Sequence, residues 1–208
     1  MARQTRQRIL DASLSMFNAQ GEPNVTTNHI ADELEISPGN LYYHFRNKDD
    51  IIEQLFAGYE ARMDAALVAP EGRLPGLEDV WLQLHLVFEC IWDYRFLYRD
   101  LVDILSRNRR LRLRFARILK RADDQAHTVM RGLVQAGVMR ASAAELDAAA
   151  TNVLVIATFW MNYAAARGDK DEQASVRDGI VQVMMLVAPF LRDAERVHLN
   201  TLTSAYID

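Results

Sequence analysis

Cysteine is all but missing from this chain. Cys90 stands alone among 208 residues, so no disulfide can close within the chain and a reducing compartment is permitted. Its neighbours Leu86, Phe88, Ile91 and Trp92 favour inert burial over redox sensing. The sequence also lacks a glycine-rich phosphate loop and a nucleophile motif. Its histidines, His29, His44, His85, His127 and His198, are scattered without metal-ligand spacing. Catalysis, a metal and a cofactor are therefore not expected. The first residues, Met1 to Arg6, contain no apolar signal core, which makes the cytoplasm the expected location. No repeat, no low-complexity tract and no convincing strand interrupts a pattern of helical periodicities.

An excess of positive charge is missing too. The formal net charge is −4. Residues 1–50 carry Arg3, Arg6, Arg8, Arg46 and Lys48 against Asp11, Glu22, Asp32, Glu33, Glu35, Asp49 and Asp50. A nucleic-acid-binding domain is usually basic, so such a role here requires the cations Arg3, Arg6, Arg46 and Lys48 to flank the contact surface. Half of the chain is apolar and a quarter charged, as in a soluble globular protein of one or two domains.

What is present begins with Ser37-Pro38-Gly39-Asn40-Leu41-Tyr42-Tyr43-His44-Phe45. Ser37 suits an N-cap, because its hydroxyl can accept from an unpaired first-turn amide, and Pro38 suits the first helical position. Leu41 and Phe45, four apart, face inward and leave Asn40, Tyr42, Tyr43 and His44 on the outer arc. Upstream, Val25, Thr26 and Ile30 have the spacing of a hydrophobic staple around a cap, predicting a short helix from residue 27 to 34 or 35. Two short capped helices separated by a tight turn are the helix-turn-helix pattern, whose second helix enters a DNA major groove.

Through Val25-Thr26-Thr27, Ile30-Ala31, Ile36-Ser37, Leu41-Tyr42-Tyr43-His44-Phe45 and Asn47-Lys48, the first fifty or so residues resemble the TetR family of transcriptional regulators. The resemblance implies an all-α fold: a three-helix helix-turn-helix DNA-binding domain at 1–48, then a helical ligand-binding and dimerisation domain at 49–208. It implies a ligand-responsive repressor that binds a palindromic double-stranded DNA operator as a homodimer and is not an enzyme. Position by position, Thr27, Asn28, Gly39, Asn40 and Tyr42 match residues that reach bases or nearby backbone. Thr26, Ser37, Tyr43, His44 and Lys48 match phosphate-side positions, and Pro38 opens the recognition helix.

The remaining periodicities predict helices over about residues 5–19, 49–67, 77–92, 96–105, 108–136, 145–166 and 176–191, followed by a polar tail. Ser142 and Glu145 form a capping box, and Asn47 caps the helix that carries Asp49 and Asp50 in its first turn. The stretch 148–166 has no charged residue, but Thr151, Asn152, Thr158, Asn162 and Tyr163 interrupt it, which favours a buried bundle helix over a membrane span. The last two long helices are apolar around most of their circumference. They are expected to pair with their copies in a dimer, the other reading being a core closed within one chain.

Two features keep two readings each. Trp81, His85, Phe88 and Trp92 recur on one helix face and, with Phe96, Met130, Phe159 and Tyr163, form either ordinary core or the lining of a cavity for a small apolar or amphipathic ligand. Asn152, Asn162 and Tyr163, if buried, need polar partners. Arg107, Arg110, Arg114, Arg117 and Arg121 form one basic row, with no acidic residue between Asp103 and Asp123. That row is either a solvated face partnered by acidic residues of the N-terminal region or a seat for an anionic head group.

Overall fold

The computed structural model describes residues 2–68, 70, 72–169 and 171–204. Eleven α-helices occur among the described residues: α1 (Ala2–Gln20), α2 (Thr27–Glu33), α3 (Pro38–His44), α4 (Lys48–Ala66), α5 (Leu77–Asp93), α6 (Arg95–Arg99), α7 (Leu101–Arg107), α8 (Arg109–Gln135), α9 (Ala143–Arg167), α10 (Glu172–Val187) and α11 (Asp193–Ser204). The only β pairing among them is an isolated antiparallel bridge between Met139 and Leu191.

By compactness the chain forms two units, residues 1–62 with 93–114, and residues 63–92 with 115–208. The first unit therefore takes in a segment far along the chain. Asn18, at the end of α1, explains much of this. Its amide donates to the Asp93 carbonyl at 2.8 Å, and its oxygen accepts from the Phe96 amide at 3.1 Å. Phe17 packs on Phe96 with ring centroids 5.3 Å apart, and the Glu22 amide donates to Asp100 at 2.9 Å. Tyr59 of α4 and Tyr98 of α6 share a buried hydrogen bond of 2.6 Å between their hydroxyls. The helix expected over 96–105 is two helices, α6 and α7, broken at Asp100, whose side chain is committed to the Glu22 amide.

In this unit the first part of the basic row, Arg107 at the end of α7 with Arg110 and Arg114 of α8, meets carboxylates. Arg107 pairs with Glu22, Arg110 with Glu53 at 3.1 Å and Arg114 with Glu60 at 2.7 Å, and the Arg114 guanidinium also lies over the Phe56 ring. Arg107, Arg110 and Arg114 therefore belong to a partnered face, their charges met by Glu22 and by carboxylates of α4.

The second unit is built on α9 and α10. Ser142 accepts from Glu145 N while the Glu145 carboxylate accepts from Ser142 N at 2.7 Å, so the capping box forms as expected. Gly179 of α10 is where the rings of Phe88 and Trp160 come closest: a Cβ there would stand 2.6 Å from one and 2.7 Å from the other. Only hydrogen fits, which fixes how closely α5, α9 and α10 pack. In the same unit Arg121 pairs with Asp64 at 2.5 Å. Cys90 is buried. The expected polar tail is instead helix α11, with Leu199 and Thr203 buried. Its apolar positions are too few to show a stripe, and tertiary packing supplies the rest of its stability.

Candidate functional site

Helix α2 starts because Thr26 caps it. The Thr26 side chain accepts from His29 N at 3.2 Å, and the Thr26 amide donates to the His29 ring at 3.4 Å. Helix α3 starts at Ser37, whose hydroxyl accepts from Asn40 N at 3.2 Å, with Pro38 in the first turn. Between them the chain reverses by a left-handed cap: Ile36 N donates to Ala31 O at 3.0 Å and Glu35 N to Asp32 O at 3.0 Å, with Glu35 at φ 54°. That is a Schellman closure carried by a residue other than glycine. Val25, Ile30, Ala31, Leu41 and Phe45 are buried beneath the pair, and the guanidinium of Arg6 lies 4.7 Å from the Phe45 ring centre.

The opposite face is open. Thr26, Asn28, Ser37, Pro38, Gly39 and Asn40 are exposed, Tyr42 is 48% and Tyr43 80% exposed, and Thr27 and His44 are half-buried. Thr27 Oγ1 and Tyr42 OH lie 3.0 Å apart, tying α2 to α3 across this face, and Tyr43 meets His44 edge to face. These ten of the eleven residues expected to contact DNA are thus exposed or half-buried. Lys48 has a different task. Its ammonium donates to the carbonyls of Glu22 and Val25 at 3.0 and 2.9 Å and lies 2.7 Å from Glu22 Oε1. An ammonium has three donors, so these partners leave little for a phosphate. Lys48 holds the entry to α4 in place. Arg46 is bound to Asp50, whose carboxyl this hydrogen-bonded partner keeps below the usual range. Arg46 is 87% exposed in that pair and Asp50 26%.

The eight residues expected to line a cavity stand in different surroundings. Phe96 belongs to the first unit, where it packs on Phe17, and the other seven belong to the second. In the second unit Phe88 and Met130 are buried. Trp81 stacks on His85, and His85 and Trp92 border an opening of about 340 Å³ with Glu89 and Arg177. Phe159 and Tyr163 are 46% and 57% exposed on α9, beside Val155 at 52%. Asn152 and Asn162 are exposed as well, so the burial expected of those amides does not occur within one chain. The reason is that α9 keeps one apolar face uncovered, a property helical periodicity alone does not reveal. The α9 helix is long and apolar enough to cross a membrane, yet only 28% of its most apolar window is buried.

Sequence reasoning missed Gln83 and Val129, which border two cavities of the second unit. One is an open groove of about 240 Å³ reaching Ala65, Val68 and Leu82. The other is a smaller pocket of about 60 Å³ whose lining is otherwise apolar. Polar glutamine inside an apolar periodicity was the available signal. Among the described residues no group of three or more His, Cys, Asp and Glu side chains is placed to hold a metal.

A capped pair of short helices with an exposed polar and aromatic second helix, followed by an all-helical second unit, defines a helix-turn-helix DNA-binding transcription factor. The description "Bacterial regulatory proteins, tetR family" matches residues 9–55, and "Bacterial transcriptional repressor" of the TetR type matches residues 58–199. The chain belongs to the TetR family of transcriptional regulators, which are non-enzymatic.

A TetR-family regulator of Marinobacter aquaeolei VT8 is 39% identical in solved form, covering 97% of this chain and 98% of its own, with a TM-score of 0.89. The HTH-type regulator TtgW of Pseudomonas putida is 41% identical over 56 residues, 27% of this chain and 42% of its own. The regulator AcrR of Shigella flexneri is 29% identical over 75 residues, 36% and 35% respectively. The matches thus span less than half the length of these curated relatives. A SmeT–triclosan complex shares the fold at 20% identity and a TM-score of 0.61, covering 92% of this chain and 94% of its own.

Proposed function

We propose that this regulator is a cytoplasmic repressor that binds a palindromic operator as a homodimer and is released by a small apolar or amphipathic molecule. The observation that carries this reading is the uncovered face of α9, where Val155, Phe159 and Tyr163 stand exposed on a helix with no charge between residues 148 and 166. An apolar face of that kind needs a partner, and a second copy of α9 and α10 supplies one as a four-helix bundle. A twofold axis then presents two copies of α3 to one duplex, which calls for half-sites about one helical turn, roughly 34–36 Å, apart.

Residues 1–48 are the DNA-contacting part in this reading, with Thr26, Thr27, Asn28, Ser37, Pro38, Gly39, Asn40, Tyr42, Tyr43 and His44 at the duplex and Lys48 positioning them. Residues 49–208 bind the ligand and dimerise. The cavities bordered by Gln83 and Val129 support a ligand site, and so do relatives of this fold solved as complexes with triclosan and choline. Release follows if the ligand favours a different tilt of α4 and so populates a form that binds DNA less tightly.

Selecting bound sequences from random DNA tests the reading. An inverted repeat is expected, bound by a dimer. Addition of a small-molecule library should then reveal compounds that lower affinity for that repeat. Unrepeated sites bound by a monomer, or equal affinity for free and ligand-saturated protein, would overturn it.

A further inference from the structure

Glu22 is the only charged residue buried among the described residues, and it is held at three points. Its amide donates to Asp100 at 2.9 Å, its carboxylate accepts from Arg107, and its carbonyl accepts from Lys48 at 3.0 Å. Asp100 stands just before α7 and Arg107 is the last residue of that helix. Two helical turns separate them, so both side chains leave α7 on the same side. The two ends of α7 thus close on one residue.

The carboxylate depends on Arg107 in particular. Lys48 lies 2.7 Å from Oε1 but off the hydrogen-bonding direction, and Oε1 has no hydrogen-bond partner. Arg107 supplies the aligned donor, on Oε2, and is itself steered by Asp103 one turn back, 3.5 Å from its Nε. A buried carboxylate that loses such a donor keeps its desolvation cost uncompensated. Lys48 leads from there to the DNA-facing side. It also donates to the Val25 carbonyl at 2.9 Å, and Val25 precedes Thr26, the cap of α2.

We infer that Arg107 is a positioning residue for DNA recognition: with Asp100 it holds Glu22, and through Glu22 and Lys48 it sets where the first turn of α2 stands against the duplex. It touches no base or phosphate itself. Without Arg107 the carboxylate has Lys48 as its remaining cation and draws the ammonium away from the two carbonyls. The Val25 carbonyl is released, and Thr26, Thr27 and Asn28 lose their fixed place. This inference rests on the DNA-contacting role proposed above for α2, and adds to it a residue far outside residues 1–48.

The test uses the full chain, Arg107→Gln and Glu22→Gln, with two duplexes: the tightest selected from random DNA and a shuffled one of the same length. One variant removes a positive charge and the other a negative charge. Charge alone would weaken DNA binding in the first and strengthen it in the second. Positioning predicts that both variants lose preference for the selected duplex over the shuffled one, by about tenfold, the cost of one disturbed base contact. Glu22→Asp keeps the charge and draws the carboxylate back; it should show the same loss, and stands in if Glu22→Gln does not fold. The Ile30 amide, which donates to Thr26 O at 3.2 Å in the first turn of α2, reports the hold without DNA. Its hydrogen exchange should quicken in both variants by more than the change in global stability accounts for.

An unchanged preference in both variants, or changes of opposite sign, would overturn the inference. So would a salt slope of binding that falls by about one in Arg107→Gln, the mark of a direct phosphate contact. Ile30 exchange that merely follows global unfolding would reduce Arg107 to a structural residue and overturn it too. A wild type that prefers no sequence would remove the operator reading above, and Ile30 exchange would still decide the role of Arg107.

Discussion

The ammonium of Lys48 lies 2.7 Å from Glu22 Oε1, and the Glu22 carboxylate it faces is wholly withdrawn from solvent. Arg107 closes on the other oxygen, so one buried charge joins the 3-10 turn after α1, the start of α4 and the end of α7. Removing one partner of such a group leaves charge without compensation. Lys48→Met should lower unfolding free energy by about 2–3 kcal/mol, less than for an isolated pair because Arg107 remains. Urea denaturation measures this, and a loss under about half a kcal/mol would show that the cluster is structurally idle.

The turn between α2 and α3 places Glu35 at φ 54°, a conformation that costs an L-residue roughly 1–2 kcal/mol. Glu35→Gly should therefore raise the melting temperature by a few degrees, the relief outweighing the extra freedom glycine gains on unfolding. Glu35→Val should lower it, since β-branching tolerates this region worst. Thermal melts in which the two variants move together would contradict the strain.

His127 links α8 to α9 within the second unit. Nδ1 lies 2.9 Å from the Asp123 carbonyl and Nε2 3.0 Å from the Asp147 carboxylate, so both ring nitrogens face acceptors. The hydrogen bond to the Asp123 carbonyl, followed by Asp147, raises the imidazole above its ordinary value. A raised folded value means stabilisation that is complete below the unfolded value, about 6.5, and is lost as pH climbs through the folded one. The stability difference between wild type and His127→Gln should be largest in mild acid and shrink toward alkaline pH. Urea midpoints across that range measure it, and a difference that grows with pH would reverse the assignment.

On α9, Phe159→Glu places a charge in the middle of the uncovered face. If a second copy covers that face, dimer affinity should fall by about 2 kcal/mol or more, with helicity retained. Analytical ultracentrifugation reads the change directly. A variant that sediments as the wild type does would locate the dimer contact elsewhere.

Tyr43 is exposed enough that its removal should leave stability within about half a kcal/mol. Tyr43→Ala is nonetheless expected to weaken operator binding by about 1–3 kcal/mol if the ring lies against the duplex. Fluorescence anisotropy at fixed salt checks it; unchanged affinity would remove Tyr43 from the interface.

What the sequence made legible was local. Thr26, Ser37, Asn47 and the Ser142–Glu145 pair act on amides two or three residues away, and each sits in the structure as its spacing predicts. What stayed hidden was long-range or contrary to propensity. Nothing near Asn18 announces that its amide will grip Asp93 and Phe96, 75 and 78 residues on, and so draw residues 93–114 into the first unit. Glu35 occupies a site where glycine would have marked the turn, and Lys48 looked like a surface cation until Glu22 proved to lie beneath it. Aromatic periodicity at Trp81, His85, Phe88 and Trp92 marks packing faces and says nothing about which are covered.

The chain's one thiol, Cys90, is only 1% exposed. Surface alkylation should therefore pass it by, which leaves the molecule blank for site-directed labelling. A spin label attached through Tyr43→Cys would be the sole reporter on the chain. If two copies assemble as proposed, the separation between two such labels would act as a ruler between the paired copies of α3.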